Sequence, residues 1–204
     1  MRTAQERREI KNRMARVTLE RRHTAGCELL PDRLDLLEAL PKGGTAAEIG
    51  VAFGDFTREI MARNTPRQLY LIDAWASARY RDGLARIQTE WADAIRDERI
   101  VIRQGLSTEV LAGLEPGLFD WVYIDTNHSY DTTLAELELC AGLVRPGGLI
   151  AGHDFCTGNV IDAVPYGVVE AVARFCKDRD WGFRYLTLET RGHFSFCLQR
   201  LEGV

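Results

Sequence analysis

The sequence predicts an α/β fold, a doubly wound and mostly parallel sheet in a single domain behind an N-terminal helical extension. Two observations predict it. Short apolar runs alternate with amphipathic stretches from residue 46 onward, a rhythm that demands right-handed crossovers and a sheet covered on both faces. Polar and glycine-containing clusters fall where those runs end, which is where open α/β sheets bind ligands. The extension covers residues 1–42 and the main unit residues 43–204.

Residues 2–22 contain no Pro or Gly and space Ile10, Met14 and Val17 among charges, the pattern of an exposed amphipathic helix. A second helix is expected from Asp32 to Leu40, closed by Pro41-Lys42-Gly43-Gly44. Ala46 to Ile49 reads as a buried strand, Phe56 to Arg63 as a helix and Gln68 to Ile72 as the next strand. Ala85 to Asp97 reads as a helix, Ile100 to Ile102 as a strand, Thr108 to Leu114 as a short helix and Phe119 to Ile124 as a strand. Thr132 to Val144 follows as a helix closed by Arg145-Pro146-Gly147-Gly148, then Leu149 to Ala151 as a buried strand. Val168 to Lys177 is expected as the last helix, before an antiparallel pair at Phe183 to Leu188 and Phe194 to Leu198.

Composition bounds the function. With 46% hydrophobic and 27% charged residues, the chain has enough apolar content for a core and no bias toward disorder. No apolar run is long enough for a membrane span, and the N-terminus leads into no signal-peptide stretch. The net charge of −4 divides into +5 for residues 1–26 and −9 for the remainder. An acidic body argues against nucleic acid as partner and for a small molecule. Five widely spaced cysteines with no C-x-x-C pair point to reduced thiols in a cytoplasmic protein. A homodimer is the expected assembly, because symmetric pairs are the commonest oligomers.

The first predicted strand runs into Glu48-Ile49-Gly50-Val51-Ala52-Phe53-Gly54, a loop whose exposed amides, at the start of a helix, approach a ligand closely. Ala52 stands where a nicotinamide fingerprint needs its second glycine, so that fingerprint is not met. Asp73 follows Glu48 by 25 positions and ends the second predicted strand, where an acid accepts hydrogen bonds from ribose hydroxyls. Gln104 and Ser107 flank the end of the third, where a nucleoside base would lie. Asp125 opens the polar run Asp125-Thr126-Asn127-His128-Ser129-Tyr130-Asp131, and the next strand ends in Gly152-His153-Asp154. Adjacent strands would converge Asp125, His153 and Asp154, a set suited to Mg²⁺ and, through imidazole, to Mn²⁺, Fe²⁺ or Zn²⁺.

These segments, with Leu71-Ile72-Asp73-Ala74-Trp75 and the Pro146-Gly147-Gly148 turn, resemble the class I S-adenosylmethionine-dependent methyltransferases, especially small bacterial enzymes that include macrolide sugar O-methyltransferases. The resemblance implies a Rossmann-like, seven-stranded sheet with an antiparallel last strand. It also implies that the loop from Glu48 through Gly50 and Val51 to Gly54 holds the methionine end of the cofactor and Asp73 its ribose, with Trp75 against cofactor or acceptor. The implied reaction is O-methylation of a small-molecule hydroxyl. Asp125, His153 and Asp154 are the expected metal ligands for Mg²⁺ or Mn²⁺. Either His128 or His153 acts as base, and either imidazole instead completes the metal shell. A scaffold protein of the same fold and a nicotinamide-dependent oxidoreductase are the alternatives.

Overall fold

A computed structural model describes residues 2–201. An eight-stranded sheet forms the centre, in the order β1 (Glu28–Leu30), β9 (Trp181–Thr187), β10 (Phe196–Arg200), β6 (Val144–Gly152), β5 (Phe119–Ile124), β2 (Thr45–Ile49), β3 (Gln68–Asp73), β4 (Ile100–Gln104). All pairings are parallel except those of β10 with β6 and with β9. The sheet therefore has one strand more than the seven expected, and its last strand is antiparallel as expected. The additional strand is β1, three residues between the two helices expected in the N-terminal extension.

Strand order reverses between β2 and β5. The chain builds outward from β2 through β3 to β4, then returns to lay β5 and β6 on the other side. Their carboxyl ends thus frame a crevice at the switch point. Alternation along β5 covers both faces: Val122 and Ile124 pack with α6 (Ser107–Ala112), α7 (Tyr130–Leu143) and α8 (Val168–Arg179). Trp121 and Tyr123 pack on the other side, with α2 (Arg33–Ala39), α4 (Gly83–Glu90) and α5 (Ala92–Arg96). Each strand residue serves one face only, because side chains alternate with period two.

Local chemistry sets the helix ends. Asp32 caps α2 by accepting the backbone N–H of Leu34 and Asp35, and Ser129 caps α7 through the N–H of Thr132, as short polar side chains do at N-caps. α3 (Asp55–Glu59) widens into a π-turn over Ile60–Asn64. There the Asn64 amide donates to the carbonyls of Leu37 and Leu40 and fixes the end of α2. The helix expected at residues 85–97 breaks at Trp91, whose ring packs on the second core.

The helix expected over residues 2–22 is α1 (Ala4–Arg13), with a capping box between Thr3 and Glu6. α1 buries no residue, whereas Met14 is buried in extended conformation and turns the chain onto the domain. A 3₁₀ turn at Arg21–His23 follows. After β6 comes a two-stranded hairpin, β7 (Gly158–Asn159) with β8 (Val164–Pro165), at a place where no strand was expected. The five cysteines are free, and among the described residues no helix is long and apolar enough to cross a membrane.

Candidate functional site

A cavity of about 580 Å³ opens at the carboxyl ends of β2, β3 and β5, within the range of about 300–1,000 Å³ usual for small-molecule sites. Glu48, Gly50, Val51, Asp73, Trp75, Ser107, Asp125 and His128 line it together. Gly54, Gln104, His153 and Asp154 are outside its lining. Gly54 caps α3 in the left-handed conformation, and the Gln104 amide is turned to the Ala74 carbonyl at 3.4 Å.

The glycine loop is shaped by close packing. Gly50 has φ +93°, and a Cβ there would stand 2.0 Å from the Asp125 carbonyl oxygen. Asp73 holds the rest of the loop in place. Its Oδ2 accepts the N–H of Val51 at 2.8 Å and of Ala52 at 2.9 Å, and its Oδ1 accepts the N–H of Trp75 at 2.7 Å. A carboxylate has about four acceptor positions, which leaves capacity for a further donor. The Trp75 indole donates to the Ala52 carbonyl at 2.8 Å. Trp75 and Ala52 both adopt positive φ, as do His128 and Asp154. Three of them, Ala52, Trp75 and His128, line the cavity, and non-glycine residues in this costly conformation cluster at functional sites.

Glu48 is buried, and Thr57 Oγ1 donates to it at 2.5 Å. Burial, reinforced by the charges of Asp125 and Asp73, pushes its carboxyl up to about 8. Glu136, a buried residue of α7 with no signal in the sequence, accepts from Ser107 at 2.5 Å and Thr126 at 2.9 Å. It joins the rim after β4 to the loop after β5.

Behind Asp125 and His128 stands a cluster of imidazoles and carboxylates. His128 Nε2 lies 3.1 Å from Asp154 Oδ2. His153 Nδ1 is 3.7 Å from Asp125 Oδ2 and also 3.7 Å from Asp154 Oδ1. Burial pushes the Asp125 carboxyl up to about 7, with the charge of Asp154 adding to it. Burial also lowers His128 and His153, against the pull of Asp154, so both imidazoles are neutral near pH 7 with a lone pair to offer.

Two residues that sequence reasoning missed complete the cluster. His193, between β9 and β10, hydrogen-bonds Asp154 Oδ1, and Cys156 Sγ is 3.8 Å from His193 Nδ1. Nothing local distinguishes Arg191-Gly192-His193 from an ordinary turn. Ligand atoms of Asp125, His128 and Asp154 all lie within 4.8 Å of one another, as do those of Asp154, Cys156 and His193. The first set has the donors of a divalent-cation site, and His128 takes within it the place expected for His153.

Among known proteins, the structure is similar to an S-adenosylmethionine-dependent methyltransferase from Aquifex aeolicus, with a TM-score of 0.62 and 13% identity over 96% of this chain and 98% of that one. It is also similar to a tRNA methyltransferase from B. subtilis, with a TM-score of 0.60 and 11% identity over 85% of this chain and 67% of that one. An O-methyltransferase family protein from Burkholderia thailandensis gives a TM-score of 0.59 and 15% identity over 84% and 56%. At these identities the likeness concerns the fold. No curated protein matches the chain in sequence. The family model described as a methyltransferase domain matches residues 47–155, from β2 through the Asp154 cluster and over half of the chain. The protein belongs to that family and is a class I S-adenosylmethionine-dependent methyltransferase.

Proposed function

We propose that this methyltransferase methylates a hydroxyl oxygen of a small molecule, a sugar or a phenol, with the help of a divalent cation. The observation that carries the reading is the placement of Asp125 and His128. Both line the cofactor cavity, and both belong to the cluster of Asp154, His153 and His193 behind it. On this reading a methyl donor and a proton-accepting, cation-binding centre would stand side by side.

Glu48 and the loop amides from Gly50 to Gly54 would hold the methionine end of S-adenosylmethionine, and Asp73 the ribose. When bound, the cofactor supplies an electrophilic methyl on a sulfonium. Asp125, Asp154 and His128 would hold Mg²⁺ or Mn²⁺, which lowers the pKa of a coordinated hydroxyl. The residues orient the acceptor oxygen toward the methyl, and alignment is the larger part of catalysis for such a displacement. His128, which lines the cavity, or His153 behind it would accept the hydroxyl proton as general base. The imidazole that is not the base would complete the cation shell. The protein is proposed to act on its small-molecule acceptor in the cytoplasm as a homodimer.

The test is to incubate the protein with S-adenosylmethionine and a panel of sugars and phenols, with Mg²⁺, with Mn²⁺ or with chelator. Methylated oxygen in the product and its loss with chelator are expected. Methylation only at nitrogen or carbon, or turnover unaffected by chelator, would overturn the corresponding part of the proposal.

A further inference from the structure

The five cysteines do not share one environment. Cys140, Cys176 and Cys197 are buried in the two hydrophobic cores, and Cys27 packs against the first of them. Among the described residues Cys156 is the one cysteine that belongs to neither core. It is half-buried, and its Sγ faces polar atoms, His193 Nδ1 at 3.8 Å and the Gly158 carbonyl at 3.7 Å. A cysteine kept for packing behaves as a small hydrophobe in apolar surroundings, and Cys156 is not so placed.

Backbone pairing brings Cys156 to His193. The Phe155 N–H donates to the Phe194 carbonyl at 2.9 Å, so the segment leaving β6 is fastened to the turn that precedes β10. The Phe155 ring lies against Phe183 and Phe196, with centroids 5.5 and 5.9 Å away, which anchors the fastening in the core. Asp154 at φ +55° and a Cys156 N–H to Asp154 carbonyl contact of 2.6 Å curl the chain around Phe155. Its two neighbours thereby reach the same atom, and His193 Nδ1 meets both Asp154 Oδ1 and Cys156 Sγ.

We propose that Asp154, Cys156 and His193 form a second cation site, selective for Zn²⁺, which uses Asp154 Oδ1 and leaves Oδ2 to His128. The three ligand atoms lie within 4.8 Å of one another. In a tetrahedral site with bonds of about 2.3 Å to sulfur and about 2.0 Å to nitrogen, the two ligand atoms stand about 3.5 Å apart, close to the 3.8 Å between Cys156 and His193. The hydrogen bond between Asp154 and His193 is exchanged for bonds to the ion, and the thiol proton is released to solvent. Three protein ligands leave a fourth position for water. Thiolate and imidazole select Zn²⁺ over Mg²⁺, whereas two carboxylates with one imidazole, as in Asp125, Asp154 and His128, suit a harder ion. Asp154 bridges two sites of different preference, and the ion in the second ties the loop after β6 to the turn between β9 and β10. The site does not rest on the acceptor or on the cation of the reaction proposed above.

Titration of the reduced, metal-free protein with Co²⁺, an optical stand-in for Zn²⁺, tests it. A thiolate-to-cobalt charge-transfer band in the near ultraviolet is expected to saturate at one thiolate-bound ion per chain, to persist in excess Mg²⁺ and to vanish when Zn²⁺ is added. Cys156→Ser is expected to abolish the band and His193→Ala to weaken Co²⁺ binding at least about 10-fold, with circular dichroism of the metal-free variants to verify the fold. Cys27→Ser and Asp125→Asn are expected to keep the band. X-ray absorption of Zn²⁺-loaded wild-type protein needs no variant, and one sulfur at about 2.3 Å from the ion is expected. Survival of the band in Cys156→Ser, its loss in Asp125→Asn, or a zinc shell without sulfur would overturn the proposal. Co²⁺ binding without the band would overturn it too while leaving the cation at Asp125 and His128 standing, so the two assignments fail separately.

Discussion

The carboxylate of Asp154 stands between two imidazoles, with Oδ2 3.1 Å from His128 Nε2 and Oδ1 hydrogen-bonded to His193 Nδ1. A single side chain thus joins the loop after β5 to the loop between β9 and β10, in a buried position and at positive φ. Its charge is what the arrangement requires. Asp154→Asn should lower turnover by about 10- to 100-fold and weaken divalent-cation binding, because partner losses in such centres carry effects of that size. Affinity for S-adenosylhomocysteine should stay close to that of the wild type, since Asp154 does not line the cavity. Steady-state assays and calorimetry together check this, and a folded variant that has lost the cofactor would contradict it.

Asp73 behaves differently because three backbone N–H groups depend on it. Asp73→Ala leaves the amides of Val51, Ala52 and Trp75 without their acceptor. A loss of about 1–3 kcal/mol in stability is expected, together with weakened cofactor binding. Denaturant unfolding and calorimetry measure the two effects separately. Unchanged cofactor affinity would remove Asp73 from the binding site and leave it a loop organiser.

Glu48 makes stability depend on pH. Burial first, then the charges of Asp125 and Asp73, raise its folded value to about 8 from 4.5. Between these values the folded state keeps a proton that the unfolded chain releases, so stability falls as pH rises. Glu136, raised to about 7 by burial, and Asp125, also raised to about 7, act in the same direction over a narrower window. The lowered histidines act oppositely, losing stability as pH falls below 6.5, and contribute nothing above it. Between pH 7 and 8, therefore, Glu48 contributes most, with a slope averaging about 1 kcal/mol per pH unit. Urea unfolding of the ligand-free protein at the two pH values should show the decline, and Glu48→Gln should flatten it. An equal slope in the variant would refute the assignment.

Gly50 is the position least able to accept a side chain. Its φ of +93° and the 2.0 Å approach of a Cβ to the Asp125 carbonyl oxygen oppose backbone to backbone, where no rotamer change gives relief. Gly50→Ala should destabilise by about 3 kcal/mol or more and move the loop off β5. Thermal unfolding monitors the first effect and cofactor titration the second. A variant as stable as the wild type would show that the loop relaxes freely.

Much of this site was legible because its residues are adjacent in sequence to strand ends. Asp73 and Asp125 each follow an apolar run directly and Asp154 comes three residues after another, and the parallel topology brings those ends together. Phe119 to Ile124 had boundaries readable to the residue, since all six positions are buried. Arg33, which also lines the cavity, and His193 were not legible. Each reaches the site from an element whose docking depends on the whole fold: α2 from the N-terminal segment, and the turn between the antiparallel strands. β1 escaped notice for the same reason. Three residues, of which two are exposed, carry no alternation signal, and only pairing with β9 makes them a strand. The break in the first helix at Met14 likewise follows from burial of one side chain, which local propensity cannot anticipate.

That small strand has a bearing on solubility. β1 lies parallel along β9, and Leu188 N–H donates to the Leu30 carbonyl at 3.0 Å just beyond it. Without residues 2–30, the row of N–H and C=O groups on the outer side of β9, a strand that includes Trp181, Phe183 and Tyr185, would face water. An open strand edge of this kind invites pairing with the same edge of a second molecule. Shortening the chain from its beginning would therefore produce self-associating material, and the first thirty residues act as a guard against aggregation.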